Sequence, residues 1–287
     1  MLNPQIASLA PGLYLIATPI GTARDITLRA LDILASADVL VAEDTRSLRR
    51  LMDIHGIAPG DRPMLSYHDH NGGKMRPRIM ALLAEGKSVA YGSEAGTPMV
   101  ADPGFDLARA TIEEGHDVVS APGPSAVITA LTLGGLPMDR FFFNGFLPNS
   151  SGQRKTALLG LRDVPGTLVF YESPKRVAAM LRDAATVLGP TRQAAVCREL
   201  TKKFQEIIRA PLAELAEICA EKPPKGEIVV LIDRPGEPNI KDFDLESLLS
   251  AAMAQSSLRD AVDEVTAHTG LPRRKVYQLA LKMEREE

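Results

Sequence analysis

The sequence predicts an α/β protein with two α/β domains, a parallel-sheet N-terminal domain and a mixed-sheet second domain, followed by a small C-terminal helical domain with a helix-turn-helix-like pattern. Short apolar runs of strand length alternate with helical segments through residues 13–133, as in parallel sheets covered on both faces. From Phe141 onward fewer helical segments separate the strands, and beyond Arg234 only helical periodicity remains. We therefore predict domains at residues 1–140, 141–235 and 236–287.

Composition and charge limit the class of protein. Of the 287 residues, 45% are hydrophobic and 24% are charged, as in ordinary soluble globular proteins. The net charge of −3 argues against a protein that coats long duplex nucleic acid. Two cysteines, Cys197 and Cys219, cannot form a disulfide framework or a four-ligand zinc site by themselves. Because the sequence has neither a signal-peptide pattern nor a membrane-length apolar run, we expect a soluble cytoplasmic protein.

In the first half, each predicted strand is followed by a predicted helix. The strands are apolar runs at residues 13–17, 39–42, 88–91 and 117–120, with a weaker one before Ser66. The helices follow near residues 28–34, 46–52, 76–83, 107–112 and 126–133. Asp25 or Thr27 is a candidate cap for the first of them, and Ser125 for the last.

Four of these strands end in unusual loops, which read TPIG, EDTR, GSEAGTP and APGPS. In open parallel sheets, ligands bind outside the carboxyl ends of the strands. Glycines such as Gly92 and Gly96 let backbone amides approach a ligand that a side chain would block. An ordinary tight turn explains any one of these loops, but the four together predict a small-molecule site at this edge.

Common signatures of nucleotide, ester and metal sites do not match these loops. No Gly-x-Gly-x-x-Gly follows the first strand, and neither a P-loop nor a Gly-x-Ser-x-Gly elbow occurs. His68 and His70 lie two residues apart on a polar loop, where we expect solvated side chains rather than metal ligands. We therefore predict no metal site.

The second half begins with the strand-like run FFFNGFLP at residues 141–148. Further strands are predicted at 167–171, 194–197, 204–208 and 228–232, with a basic turn of hairpin length at 199–203. Residues 235–239 read as a linker. In the tail, Gly270 ends one helix and a basic triplet opens the next. A nucleic-acid-binding helix-turn-helix and a plain packed helical hairpin fit this pattern equally well.

Seven motifs taken in order carry a family resemblance: TPIG, EDTR, SEAGTPMVADPG, APGPSA, FFFNGFLP, FYESPKR and RELTKKFQE. Together they resemble the ribosomal RNA small-subunit methyltransferase I family, which belongs to the tetrapyrrole-methylase-like (class III) S-adenosylmethionine-dependent superfamily. The resemblance covers roughly residues 12 to 235 and extends to the tail, which is similar to that family's helix-turn-helix domain. One departure is Glu94, where the family usually has Asp, and another is Tyr91-Gly92, which replaces a more aliphatic strand end.

The resemblance implies two α/β domains with S-adenosylmethionine in the cleft between them, in a homodimer. It also implies an activity, the 2′-O-methylation of a cytidine ribose in the decoding region of small-subunit (16S) rRNA. By matching family positions, the cofactor-binding residues are expected to be Thr18, Ile20, Gly21, Glu94, Gly96, Thr97, Val100, Ser125, Ala126 and Tyr171.

The chemistry requires a group that takes the proton of a ribose hydroxyl, which is a poor nucleophile. Asp44 and Glu172 are the catalytic candidates, because each follows a strand that ends at the expected cleft. Helix capping, or an ion pair with Arg46 or Arg176, would explain either carboxylate equally well. RNA phosphates are expected to meet basic residues of three segments, Arg46, Arg49, Arg50, Lys202, Lys203, Arg273, Arg274 and Lys275.

Two alternatives remain open at the level of sequence. One is a methyltransferase of the same fold that acts on a small molecule such as a tetrapyrrole, which the net negative charge favours. The other is a non-catalytic RNA-binding assembly factor that keeps the cofactor fold. The basic tail and the segment EDTR, with the basic residues that follow it, favour RNA as the substrate.

Overall fold

The computed structural model of the protein describes residues 4–68, 70–100, 104–236 and 244–286, and they form two sheets with their helices and a separate helical core. Three predicted features lie partly outside these ranges: Asp69 of the polar loop, residues 101–103 of the Gly-rich loop and residues 237–239 of the linker. In the described part of the chain, no helix is long and apolar enough to cross a membrane.

The first sheet is five-stranded and entirely parallel, with strand order β3-β2-β4-β1-β5, as predicted. Its strands are β1 (Gly12–Ile16), β2 (Val39–Ala42), β3 (Met64–Ser66), β4 (Ser88–Gly92) and β5 (Val118–Ala121). The central strands β1, β2 and β4 are buried along their whole length because helices cover both faces.

Five α-helices accompany this sheet: α1 (Leu28–Ser36), α2 (Thr45–Ile54), α3 (Gly72–Ala84), α4 (Phe105–Glu113) and α5 (Ala126–Gly134). The predicted caps occur where the sequence placed them. The Thr27 side chain accepts a hydrogen bond from the backbone N–H of Ala30, and the Ser125 side chain accepts one from that of Ile128. Local sequence therefore determines where α1 and α5 begin.

The second sheet is also five-stranded, with order β6-β7-β10-β8-β9, and is mixed, as predicted. Only β6 and β7 pair in parallel, and the other neighbours are antiparallel. Its elements are β6 (Phe141–Phe146), α6 (Ser151–Leu159), β7 (Thr167–Glu172), α7 (Val177–Leu188), β8 (Gln193–Arg198), β9 (Glu206–Pro211), α8 (Leu212–Glu221) and β10 (Ile228–Ile232).

The strand predicted at 204–208 begins two residues later, at Glu206. Phe204 and Gln205 belong instead to the turn that joins β8 to β9. Turn hydrogen bonds from the backbone N–H of Lys202 to the carbonyl of Glu199, and from that of Gln205 to the carbonyl of Lys202, delay the start of the ladder.

Helix α5 connects the two halves through its packing. Val127, Ala130 and Leu131 share a buried cluster with strand residues of the second sheet, including Val229 and Leu231. A Cβ atom at Gly134 would overlap the Leu231 side chain, so glycine permits the close approach of this helix to β10. The domain limits at residues 140 and 235 stay predictions.

The tail consists of α9 (Leu245–Met253), α10 (Leu258–Thr269) and α11 (Arg273–Glu286), which pack around their own apolar core. Ser257 caps α10 by accepting from the backbone N–H of Asp260, and Gly270 ends that helix at φ +67°. Gly270 ends α10 as predicted. Its left-handed conformation lets its backbone N–H bond to the carbonyl of Thr266, and glycine adopts that conformation without steric cost because it has no side chain.

Candidate functional site

A cavity of about 370 Å³ lies between the carboxyl ends of the first sheet and the second sheet. Its volume falls within the range of small-molecule sites, roughly 300–1,000 Å³. The first half of the chain contributes Ile20, Glu94, Ala95 and Ala126 to its wall. The second contributes Phe146, Tyr171, Glu172, Leu200, Glu227, Ile228 and Val229. The sequence-predicted residues Ile20, Glu94, Ala126, Tyr171 and Glu172 are therefore brought together.

The loop after β1 and the Gly-rich loop after β4 are tied to each other. Thr18 and Gly96 exchange two backbone hydrogen bonds, of 2.9 Å and 3.0 Å. The Thr18 hydroxyl lies 3.1 Å from the Ser93 carbonyl, to which it donates, and the Ser93 hydroxyl donates to the Gly96 carbonyl. The Gly96 amide is thus used within the protein, which corrects the expectation that this glycine leaves its amide for a ligand.

Gly96 is nevertheless required at this position. Its φ of +81° lies in the left-handed region, and an added Cβ atom would lie 3.3 Å from Cγ2 of Ile20. Since Ile20 lines the cavity, the backbone of Gly96 determines where that wall residue sits. Thr18 and Gly96 thus connect the two loops that border the cavity, and their role as cofactor-binding residues stays a prediction.

Three further residues predicted to bind the cofactor, Thr97, Val100 and Ser125, do not line the cavity but make contacts within the protein close to it. The Thr97 hydroxyl donates to the Pro124 carbonyl at 3.0 Å, which connects the loops after β4 and β5. Ser125 caps α5, and Val100 packs against the apolar cluster beneath that helix. These contacts shape the cavity edge from behind.

The loop after β1 also contacts the turn between β8 and β9. Thr22 donates from its backbone N–H to the Thr201 hydroxyl at 3.1 Å, and its own hydroxyl donates to the Thr201 carbonyl. An added Cβ atom at Gly21 would lie 2.6 Å from both the Thr201 hydroxyl and Cγ of Lys202. Gly21 therefore permits the contact between the two halves, which we call the Gly21–Thr201 contact.

A second recess of about 200 Å³ adjoins the same loops. It is lined by Thr18, Pro19, Gly21, Ala23, Ser47, Leu48, Arg50, Leu51, Ile54, Ser93 and Glu94. Glu94 lines both spaces, and the exposed Arg50 stands at the recess with a cationic side chain. Of the residues predicted to meet RNA phosphates, Arg50 is the one that lines a space beside the main cavity.

Asp44 has a structural role. Its carboxylate caps α2 by accepting from the backbone N–H of Arg46 at 2.8 Å, and it also binds the Arg46 guanidinium at 3.1 Å and 2.9 Å. Hydrogen bonds from the Arg46 side chain, then from its backbone, lower the pKa of the Asp44 carboxyl to about 2. A carboxylate with so low a pKa is a poor proton acceptor, and Asp44 does not line the cavity. In this structure the Asp44 carboxylate is engaged in capping and ion pairing, and its catalytic role stays a prediction.

Glu172 differs from Asp44 in its burial and in its place beside the cavity, although it too accepts from a backbone N–H and pairs with an arginine. It lies at the end of β7, is 3% exposed and lines the cavity. Its Oε1 atom accepts from the backbone N–H of Ser173 at 2.7 Å and lies 3.2 Å from Nε of Arg176. Its buried Oε2 atom has no hydrogen-bond partner among the described residues. The Glu172 side chain as a whole is 1% exposed, so Oε2 is enclosed by the protein even though the residue borders the cavity.

The predicted RNA-binding residues lie on three elements. Arg46, Arg49 and Arg50 are exposed on α2, although Arg46 is paired with Asp44. The Lys202 ammonium binds Glu199 at 3.1 Å and Glu227 at 2.9 Å, so a phosphate would compete with these two carboxylates, and its role in RNA binding stays a prediction.

The remaining basic residues that are predicted to meet RNA lie on the surface of the protein. Lys203 is exposed, with its ammonium 5.5 Å from the centre of the Phe204 ring. On α11, Arg273 pairs with Asp263, and Arg274 and Lys275 are exposed. Surface cations of this kind suit phosphate contacts, which need charge more than precise geometry.

The sequence analysis missed six residues of the cavity wall: Ala95, Phe146, Leu200, Glu227, Ile228 and Val229. Most carry no chemical signal in the sequence. Phe146 had one, since Asn144-Gly145 interrupts an aromatic strand, and Gly inside a strand often marks a bulge. Among the described residues, no group of three or more His, Cys, Asp or Glu side chains is arranged to hold a metal ion, and the rings of His68 and His70 pack edge to face with centroids 6.0 Å apart.

Sequence comparisons identify relatives across nearly the whole chain. A family model described as Tetrapyrrole (Corrin/Porphyrin) Methylases matches residues 12–216, and one described as RsmI C-terminal HTH domain matches residues 241–284. The ribosomal RNA small subunit methyltransferase I of Mesorhizobium japonicum is 45% identical, over 96% of this chain and 93% of that protein. The protein of the same name from Escherichia coli O157:H7 is 38% identical, over 99% of this chain and 100% of its own.

Solved structures share the fold at low identity. A cobalt precorrin-4 methyltransferase covers 77% of this chain and 94% of its own, with a TM-score of 0.58 and 16% identity. A uroporphyrin-III C-methyltransferase from Thermus thermophilus, complexed with S-adenosyl homocysteine, covers 77% of this chain and 96% of its own, with a TM-score of 0.55 and 20% identity. At these identities the similarity establishes the fold alone.

Proposed function

Since the chain belongs to the ribosomal RNA small subunit methyltransferase I family, we propose that it methylates the RNA of the small ribosomal subunit. It is an S-adenosylmethionine-dependent methyltransferase. The specific target that we propose is the 2′-oxygen of a cytidine ribose in the decoding region of 16S rRNA. We further propose that the enzyme acts in the cytoplasm as a homodimer.

The cavity residues fit this cofactor. Ile20, Ala126 and Val229 supply apolar wall, and the residues Glu94 and Glu172 bring carboxylates to the border of the same cavity. We assign cofactor contacts to the wall residues Ile20, Glu94, Ala126 and Tyr171. The residues behind them shape the loops: Thr18, Gly21, Gly96, Thr97, Val100 and Ser125. When bound, S-adenosylmethionine supplies a methyl group on a positively charged sulfonium.

The observation that carries the proposal is the environment of Glu172. Arg176 holds Oε1 at 3.2 Å, and its guanidinium also donates to the carbonyl of Leu147 at 2.6 Å. Oε1 is held in this way, whereas Oε2 is buried and has no hydrogen-bond partner among the described residues. We propose that Oε2 accepts the proton of the ribose hydroxyl as that oxygen becomes the nucleophile.

RNA binding is assigned to exposed cations. Arg49 and Arg50 project from α2 beside the recess, and Arg274 and Lys275 lie on α11 in the tail. Contacts to phosphate position an RNA without reading its sequence, so these residues would determine affinity and register. Lys203, exposed on the turn after β8, would extend the same surface.

The test is a methyl-transfer assay with labelled S-adenosylmethionine and small ribosomal subunits from cells that lack this gene. We expect label on these subunits and none on wild-type subunits, whose target is already methylated. Nuclease digestion should then locate the label on a ribose 2′-oxygen. Label on a tetrapyrrole but not on RNA would establish the small-molecule alternative. Tight cofactor binding without transfer to any substrate would indicate a non-catalytic assembly factor.

A further inference from the structure

A β-bulge in β6 determines which way Phe146 faces. Phe143 lies opposite Val169, Gly145 opposite Phe170 and Phe146 opposite Tyr171, so the strand contains one extra residue at position 144. In a regular strand, residues three apart point to opposite faces. The extra residue, together with the left-handed Gly145 at φ +70°, puts Phe143 and Phe146 on one face. That face is the one that borders the cavity, since both Phe146 and Tyr171 line it.

Phe146 is supported from within the protein and open on its other side. Its ring centroid lies 5.7 Å from that of Tyr171 at an interplanar angle of 63°, and Tyr171 contacts Phe143 at 4.9 Å and 66°. These are edge-to-face contacts, which hold a ring in a defined orientation. Phe146 itself is 56% exposed, although it belongs to the cavity wall. An oriented, half-exposed ring at a cavity rim is a surface on which a flat ring can stack.

We propose that Phe146 stacks on the unpaired nucleobase of the RNA nucleotide that is methylated. This inference rests on the proposed function. The ring stands at the exposed rim, where a nucleotide arrives from solvent, whereas Glu172 is buried in the same cavity. A base stacked at the rim places its own ribose at the mouth of the cavity.

Register along the strands brings the backbones of Phe146 and Glu172 close together, although the Glu172 side chain, next to that of Tyr171, points to the opposite face of the sheet. Phe146 lies opposite Tyr171, and Glu172 is the next residue of β7. With a strand spacing of about 4.8 Å and a rise of about 3.3 Å per residue, the two backbone positions are roughly 6 Å apart. A base and its attached ribose can span such a separation. Enzymes that modify single nucleotides commonly hold an unstacked base against aromatic or apolar side chains in this manner.

The experiment compares Phe146→Ala with Phe142→Ala in the full-length protein. Phe142 is a matched control, because it belongs to the same strand and is 43% exposed but does not line the cavity. Four quantities are measured for each variant: kcat and KM for subunits from cells lacking the gene, affinity for S-adenosylmethionine by calorimetry, and the unfolding temperature.

Phe146→Ala should lower kcat/KM for the subunits by roughly 5- to 150-fold, the loss that removal of one stacking contact produces. Its affinity for S-adenosylmethionine should be unchanged, and Phe146→Tyr should restore turnover because it restores a ring. Phe142→Ala should behave as the wild type. If Phe146→Ala does not fold, Phe146→Leu keeps apolar bulk without an aromatic face and serves in its place.

Two results would overturn the inference while leaving the proposed function intact. If Phe146→Ala loses affinity for S-adenosylmethionine by the same factor as turnover, the ring contacts the cofactor. If neither quantity changes, the ring does not stack on a ligand. Absence of label on every RNA with the wild-type enzyme is a separate outcome that overturns the proposed function, and this inference with it.

Discussion

The two sheets contribute to the cavity in different ways. On the side of the first sheet, the polar groups of Thr18, Ser93, Gly96 and Thr97 hydrogen-bond to other parts of the same loops. On the side of the second sheet, side chains themselves form the wall, and one of them, Glu172, keeps a buried oxygen without a partner. On the first side, hydrogen bonds between loops hold the backbone in place, and we call these loops the scaffold. The second side contributes Glu172, the carboxylate that we propose as the proton acceptor.

This difference shows that unusual sequence does not by itself locate chemistry. The loops of the first sheet are rich in Gly, Pro and carboxylates because their backbones must turn sharply and approach one another. Asp44, in one of these loops, caps helix α2 with its carboxylate. Glu172 lies at the end of β7, where its carboxylate is buried, pairs with Arg176 and keeps one oxygen without a hydrogen-bond partner among the described residues. Each prediction below tests one side of the comparison.

The largest effect is expected from Gly96→Leu, which tests whether the scaffold is essential. The substitution forces a side chain into the left-handed region and against Ile20, so we expect the protein to fold but to show no measurable affinity for S-adenosylmethionine by calorimetry. Gly60→Leu is the matched control, because Gly60 also has positive φ but has no atom within 4 Å of an added Cβ. Normal cofactor affinity in Gly96→Leu would remove this loop from the site.

Glu172→Gln tests the second side. Glutamine keeps the shape of the side chain but not its capacity to take a proton, so the single-turnover rate should fall by roughly 10²- to 10⁴-fold. Cofactor affinity and the circular dichroism spectrum should remain close to those of the wild type. Asp44→Asn is the comparison variant and should change the rate far less. If the single-turnover rate falls equally in Glu172→Gln and Asp44→Asn, the proposal that Glu172 and not Asp44 takes the proton is wrong.

Gly21→Ala tests the Gly21–Thr201 contact, where the two sides meet. The added methyl would lie 2.6 Å from Thr201 and Lys202 and 2.9 Å from the carbonyl of Leu200, so we expect the free energy of unfolding in urea to fall by about 1–3 kcal/mol. Cofactor affinity should fall as well, since Leu200 lines the cavity. As a control, Gly152→Ala places its methyl in open space on α6 and should not destabilise the protein. A neutral Gly21→Ala variant would contradict the close approach.

The smallest effect concerns Asp44 and its structural role. Arg46→Ala should raise the pKa of the Asp44 carboxyl from about 2 toward about 3.9, because the guanidinium that stabilises the charged form is removed. In the wild type the folded-state pKa is depressed, so the stabilising contact is present above about pH 4 and is lost as the pH falls through about 2. Carboxyl titration by NMR measures both values. A wild-type midpoint near 3.9 would show that Asp44 is not held as described.

Much of the fold was predictable, because it depends on local pattern. The parallel first sheet, the mixed second sheet and the helical tail follow from apolar runs and periodicity, and the caps Thr27 and Ser125 from their residue types. The start of β9 was misplaced because turn hydrogen bonds around Lys202, which the apolar pattern does not show, took precedence over strand propensity.

The site was predictable only in part. Ile20, Glu94, Ala126, Tyr171 and Glu172 were selected from strand ends and family motifs, and the structure brings them to one cavity. Lys202 was assigned to RNA from its charge, but Glu199 and Glu227 occupy its ammonium, and Glu227 is distant from it in the chain. Charge is visible in a sequence, whereas the partner that neutralises it is not.

The sequence by itself determined the class of fold, the edge of the first sheet where the cavity lies and the family. Those features depend on residue type, period and order along the chain. Only the tertiary structure decided that Glu172 rather than Asp44 keeps an oxygen without a hydrogen-bond partner among the described residues, that the bulge in β6 turns Phe146 toward the cavity, and that Gly21 contacts the turn at Thr201. The physical reason is that burial, pairing and direction depend on groups from distant segments, which meet only when the two sheets pack together.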